Sequence, residues 1–134
     1  MLLAWGLRGT AMEITFNGVV ERVDTLGALD TALDRFDHEP MFELWLVADS
    51  GPSLSMLRNG EDAWLMYLHF NGDAGMVSKG DPDAEGVGSY RLSNGQVDEY
   101  PRSWFVDLEQ CYKALFYFFV NDGRKYEQIE WQEV

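Results

Sequence analysis

Few residues of this chain are of the kinds that perform chemistry, and their spacing gives them little to work with. The histidines are His38 and His69. His38 stands in an acidic turn, Asp37-His38-Glu39-Pro40. A hydrolytic metal centre takes about three protein ligands converging on one point. Successive side chains of a turn diverge, so this triplet reads as solvated turn residues. His69 falls in the apolar run 63–70 and reads as a sheet-face residue packed among aromatics. Ser78-Lys79 supplies the two groups of a serine–lysine pair, but neighbours on a strand point to opposite faces. Gly80, Gly86 and Gly88 precede no helix, and their acidic neighbours make a poor phosphate cradle. No nucleophile elbow, Walker loop or dinucleotide fingerprint occurs. Asp98-Glu99 is an adjacent carboxylate pair, and a general-acid role would need one of the two to be buried. The single cysteine, Cys111, excludes an internal disulfide and a thiolate zinc cage. Neither a metal nor a cofactor is expected, and the chain does not read as an enzyme.

What the chain has instead is charge. It carries 23 Asp and Glu against 10 Lys and Arg, a net charge of -13 on 134 residues. Such a field repels nucleic acid and anionic membranes. It attracts basic proteins and raises their association rates. Acidity that serves solubility alone is the plainer reading of the same number. The carboxylates Asp81, Asp83 and Glu85 fall in one glycine-rich loop, residues 79–88. Asp98 and Glu99 lie on a hairpin beside it. These five, with Tyr90 on that hairpin and Tyr100 and Trp104 as aromatic anchors, form the candidate partner-binding set. Aromatics dominate interface hot spots, although the core is their commoner place.

The elements that must position them follow from periodicity. Residues 13–16 and 19–23 read as short strands turned by Asn17-Gly18. Asp24 or Thr25 caps a helix whose stripe is Leu26, Leu29, Ala32, Leu33 and Phe36, with Asp30, Asp34 and Asp37 off it. Residues 41–48 read as a mostly buried strand. Residues 53–58 alternate, which predicts a strand with one wet face. Asn59-Gly60 turns this strand back into 63–70, and residues 74–78 give another. Residues 89–92 and 96–100 make a hairpin about Ser93-Asn94-Gly95, closed by Pro101. Asp107 opens a second helix, with Gln110 at the capping-box position, and Asn121-Asp122-Gly123 stops it. That helix is expected to be the most buried element. The tail 126–131 returns as an edge strand. The order predicts an α+β fold: an antiparallel sheet of about five to seven strands, with two helices on one face.

Length and composition fit one domain, residues 12–134, preceded by a flexible extension, residues 1–11. No stretch reaches the roughly 18 to 20 apolar residues of a membrane span. A cytoplasmic protein, monomeric or weakly dimeric when free, is expected.

The C-terminal half carries a resemblance. Gly75-Met76-Val77-Ser78-Lys79-Gly80 follows an apolar strand and precedes the acidic loop. A Tyr-bearing strand comes next, then the aromatic helix ending Phe118-Phe119, then Glu127-Gln128-Ile129-Glu130-Trp131. This arrangement resembles the first-described family of bacterial immunity proteins from polymorphic toxin systems, over residues 12–134 and most closely from 63 onward. The resemblance implies a non-enzymatic cytoplasmic protein. Its partner would be a cognate toxin, a deaminase of nucleic acid whose basic active-site groove it occludes. The motif residues Ser78, Gly80 and Trp131 read as structural, because a glycine after a strand answers a backbone demand and a terminal tryptophan packs. Two alternatives stand beside this. One is a secretion chaperone that holds the export segment of an effector along a sheet edge or groove. The other is a small enzyme built on an unrecognised carboxylate pair.

Overall fold

The computed structural model describes residues 11–134. The expected extension, residues 1–11, therefore lies almost wholly outside the described residues. The chain runs β1 (Met12–Phe16), β2 (Val19–Val23), α1 (Leu26–Phe36), β3 (Met41–Ala48), β4 (Ser53–Asn59), β5 (Asp62–Leu68) and β6 (Met76–Lys79). It continues with β7 (Val87–Arg91), β8 (Val97–Pro101), a 3-10 turn (Arg102–Trp104), α2 (Leu108–Val120) and β9 (Glu130–Glu133). Seven strands form one antiparallel sheet in the order β2-β1-β3-β4-β5-β6-β9. The α+β reading holds. β7 and β8 pair only with each other and form a separate two-stranded sheet.

Local chemistry accounts for the elements. Asn17 and Gly18 take positive φ, 49° and 86°, the backbone a tight two-residue hairpin requires. Thr25 is the cap of α1, accepting the Ala28 N–H at 3.0 Å. Asp107 caps α2 by accepting the Gln110 N–H at 2.8 Å. Gly123, at φ 91°, ends α2 by donating to the Phe118 carbonyl.

Both helices lie on one face of the sheet. Their inward stripes, Leu29, Ala32, Leu33 and Phe36 with Cys111, Leu115, Phe118 and Phe119, meet Leu44, Leu46, Leu54, Met56 and Leu65 in the main core. Arg58 joins this layer at its rim. Its side chain is nearly enclosed, and it donates to Asp37 Oδ1 at 2.7 Å and to the Gly60 carbonyl at 2.8 Å.

The opposite face differs from expectation. β4 has no wet face: residues Ser53–Arg58 are all buried. Ser55 stands between Trp45 and Met66 on the neighbouring strands, and these larger side chains overtop it. Farther along, β7 packs across β3 and β4. The result is a second core of Leu57, Trp64, Val77 and Tyr90 beneath the hairpin. β4, not α2, is the most buried element. His69 also departs from its expected place. It lies just past the end of β5, exposed, with Nδ1 3.0 Å from Asp73 Oδ2 and the Tyr67 ring edge-on beside it.

Candidate partner-binding surface

The acidic loop and the hairpin are mounted on the sheet through one wedge. β5 and β6 pair only at Met66–Val77 and Tyr67–Met76, then separate. Residues 103–106 fill the gap. The buried Ser78 hydroxyl accepts the Leu65 N–H at 3.0 Å and donates to the Trp104 carbonyl at 2.7 Å. The Gly80 N–H donates to the Ser103 carbonyl at 2.7 Å, and the Val106 N–H donates to the Ala63 carbonyl at 3.0 Å. A Cβ at Gly80 would overlap the Phe105 backbone carbonyl, and one at Gly88 would overlap the Phe105 ring. These glycines are therefore steric requirements of the wedge. Trp131 is tied down as well. Its indole N–H donates to the Tyr126 carbonyl at 2.8 Å, and its ring meets Tyr67 edge-on. Ser78, Gly80 and Trp131 are framework for what lies above them.

The aromatic anchors are mostly spent on that framework. Tyr90 is wholly buried, so its place in the contact set is corrected. It faces the sheet, meets Phe105 edge-on at 5.5 Å, and its hydroxyl is pushed to a higher pKa by burial. Tyr100 and Trp104 are half-buried and pack on Trp64 at 4.6 and 5.1 Å. Burial, and then the neighbouring Asp98 and Glu43, raises the Tyr100 pKa. Their outer edges alone remain available.

The carboxylates divide by register. Asp98 pairs with Tyr90, which sets it on the hairpin face turned toward the sheet. It is half-buried and accepts the Gln96 amide at 2.9 Å. Glu99 pairs with Ser89 on the outward face and is exposed. Asp81, Asp83 and Glu85 are all exposed. Asp81 shapes the loop by accepting the Asp83 N–H at 2.9 Å, a turn that aspartate makes with its own chain. The Arg102 N–H donates to the Gly86 carbonyl at 3.0 Å and holds the loop's end against the 3-10 turn.

Two residues escaped the reading from charge. Val87 and Val97 are 46 % and 57 % exposed, and both belong to the outward face that carries Glu99. Alternation along β7 and β8 was their only signal, and it became readable once Tyr90 was known to face inward. The outward surface thus has apolar contact area beside a rim of carboxylates. Arg91 shares that face, and Arg102 leans toward Asp62 at 3.8 Å.

Other reactive groups take no part in a site. The Cys111 thiol is enclosed, and burial raises its pKa, which suppresses thiolate formation. Among the described residues no three His, Cys, Asp or Glu side chains converge as a metal site. None of their helices is long and apolar enough to cross a membrane.

The family model for Immunity protein Imm1 matches residues 17–133, nearly the whole chain and all of the wedge, loop and hairpin. The chain belongs to the Imm1 immunity-protein family. It is an immunity protein directed against a toxin. No curated protein matches it significantly. In this Imm1 protein the motif residues that carried the resemblance, Ser78, Gly80 and Trp131, are those that fasten the wedge and the last strand.

Proposed function

We propose that this Imm1 protein neutralises a nucleic-acid deaminase toxin by seating the β7–β8 hairpin and the 80–86 loop in the toxin's basic substrate groove. It acts in the cytoplasm by steric occlusion and catalyses nothing itself. One observation carries the reading: the outward hairpin face joins exposed Val87 and Val97 to Glu99, next to Asp81, Asp83 and Glu85. A deaminase of nucleic acid must draw a base into its zinc pocket while cationic side chains hold the flanking phosphates. A carboxylate-rimmed apolar projection meets both demands of such a groove. The carboxylates take the places of phosphates, and the valines fill the space of the base. Tyr100 and Trp104 contribute their exposed edges, and Asp98 lends its charge from behind.

The test is co-expression of the toxin with variants of this chain. Asp81→Lys, Asp83→Lys and Glu85→Lys together are expected to slow association about tenfold or more at low salt, with a smaller difference at high salt. Val87→Ser with Val97→Ser is expected to speed dissociation and abolish protection. An unchanged on-rate and full protection in both variants would remove this surface from the interface.

A secretion chaperone is the second reading, and β2 gives it some footing. β2 is an outer strand of the sheet, and Val19 and Val20 on it are 67 % and 56 % exposed. An extended export segment could add there as a further strand. Binding to the isolated catalytic domain of the toxin, with loss of its activity, separates neutralisation from escort.

A further inference from the structure

The helix layer holds a second surface that the hairpin reading does not use. α1 and α2 run antiparallel. Leu26 faces Val120 and Asn121 at one end, and Asp37 meets Tyr112 at the other. The helices do not close on each other. An open groove of about 590 Å³ lies between Leu26 and Asp30 on one side and Phe116 and Val120 on the other. It continues past Asp30 and Phe116 into a hollow of about 220 Å³ bordered by Asp34 and Tyr112. Leu26 and Val120 are 46 % and 53 % exposed.

One wall of this groove is acidic. Asp30, Asp34 and Asp37 recur at four- and three-residue spacing along α1. Asp37 is committed to Arg58 and Tyr112. Among the described residues Asp30 and Asp34 have no ion-pair partner, since Arg35 turns to Glu21 and Lys113 to Glu109. Helix stability does not explain the stripe. Like charges four residues apart repel, and carboxylates near a helix C-terminus oppose the macrodipole.

The occupant follows from chemistry. The apolar floor wants apolar side chains, and the acidic wall wants cations. A second copy of this chain would bring the same carboxylates and another net charge of -13. We infer that the α1–α2 groove docks a basic amphipathic helix of a partner protein. Its apolar side chains would lie on Leu26, Phe116 and Val120, and its Lys or Arg would meet Asp30 and Asp34. A groove between two helices accepts a third as a ridge with anchors at three- and four-residue spacing. The 11 residues of α1 span about 16 Å, three turns of such a ridge. The groove and the hairpin lie on opposite faces of the sheet, so both can be filled at once. This inference does not depend on what fills the hairpin surface.

The probe is a fluorescent Leu/Lys peptide of about 14 residues with an amphipathic helical repeat. A scrambled peptide of equal composition and a Leu/Glu counterpart are the controls. The amphipathic cationic peptide is expected to bind at low salt and to shift the amide resonances of Leu26, Asp30, Phe116 and Val120. Asp30→Lys with Asp34→Lys, and separately Leu26→Ser with Val120→Ser, should each weaken it about tenfold. All four positions are exposed, and unfolding curves check that the variants remain folded. Loop reversal at Asp81, Asp83 and Glu85 should leave the resonance pattern in the helices unchanged. Equal binding of the scrambled peptide, or shifts centred on the hairpin, would overturn the proposal. So would self-association abolished by Leu26→Ser with Val120→Ser, which would assign the groove to a second copy. Protection against the toxin by the Leu26→Ser, Val120→Ser variant reports on the hairpin reading separately.

Discussion

Removing one hydroxyl at Ser78 tests whether the wedge holds the proposed binding surface. Ser78 Oγ ties β5 to the 103–106 segment by hydrogen bonds, accepting from Leu65 N–H and donating to the Trp104 carbonyl. Ser78→Ala leaves both backbone groups without that partner. Each orphaned buried group costs roughly 1–3 kcal/mol. The Leu65 amide is deep between strands and belongs at the upper end. The Trp104 carbonyl is nearer the surface, where water relieves part of the loss. The sum is about 3 kcal/mol, and the missing oxygen leaves too small a void to add much. With a urea m-value of about 2 kcal/mol/M, the midpoint should fall by roughly 1.5 M at unchanged slope. Hydrogen exchange at the Leu65 amide should accelerate more than at β1 or β3, because the wedge opens before the sheet does. Toxin binding should weaken as well, since the loop and hairpin lose their seat. A loss below about 0.5 kcal/mol, or exchange at Leu65 as slow as before, would refute the argument that this hydroxyl fastens the wedge.

Gly80→Ala should destabilise strongly, by about 2–4 kcal/mol, because the new Cβ meets the Phe105 carbonyl and not a yielding side chain; thermal unfolding measures it, and a neutral result would mean that β6 shifts freely. Arg58→Ala should cost about 2–4 kcal/mol, whereas Arg58→Met, which keeps an apolar stem opposite its cross-strand partner Phe42, should recover part of that in urea melts. Asp73 is held below the usual carboxylate value by the His69 backbone N–H first and the His69 ring second. Its folded pKa is depressed, so its contribution is present above the usual value of 3.8 and is lost as pH falls below it. Asp73→Asn should therefore lower stability at neutral pH and flatten the acid limb below about pH 4, as followed by stability against pH.

Much of the run of strands along the chain was legible because most strands are bounded by their own turn chemistry, whereas their order in the sheet was not. Asn17-Gly18 and Ser93-Asn94-Gly95 stand where hairpins turn, and Asn59-Gly60 marks the third to within one residue, since Asn59 pairs with Asp62 and Gly60-Glu61 makes the turn. The helices were legible from their stripes, and Thr25 and Asp107 are caps of the kind such stripes require. What periodicity cannot state is which covering a strand face receives. Ser53 and Ser55 looked wet because serine tolerates water, yet larger cross-strand neighbours overtop Ser55. For the same reason Tyr90 read as a contact residue. Alternation puts Tyr90 and Glu99 on opposite faces of the hairpin, but only the seating of the hairpin on β3 and β4 decides which face is turned to solvent. Val87 was passed over because it fell in the glycine-rich loop 79–88, and Val97, though read on the strand 96–100, because a search led by charge looks for carboxylates.

In the proposed mode of binding, charge and apolar area divide the work of this surface. Carboxylates on an exposed loop act at distances near a Debye length and set how fast a basic partner arrives. They give little once the complex has formed, because exposed ion pairs are worth at most about 1 kcal/mol each. Persistence must come from contacts that exclude water, and the outward hairpin face offers Val87 and Val97 for that purpose. Both sets of residues hang from one short wedge whose fastenings are Ser78 and Gly80. A protein built this way can change its acidic loop freely while keeping the wedge fixed, because no loop carboxylate takes part in the hydrogen bonds that seat it. On the proposed mode of binding, the residues that fasten this surface and those that meet the partner are therefore different residues. The Val77-Ser78-Lys79-Gly80 segment sets where the surface stands, and in that mode the loop and outward hairpin face decide what it fits.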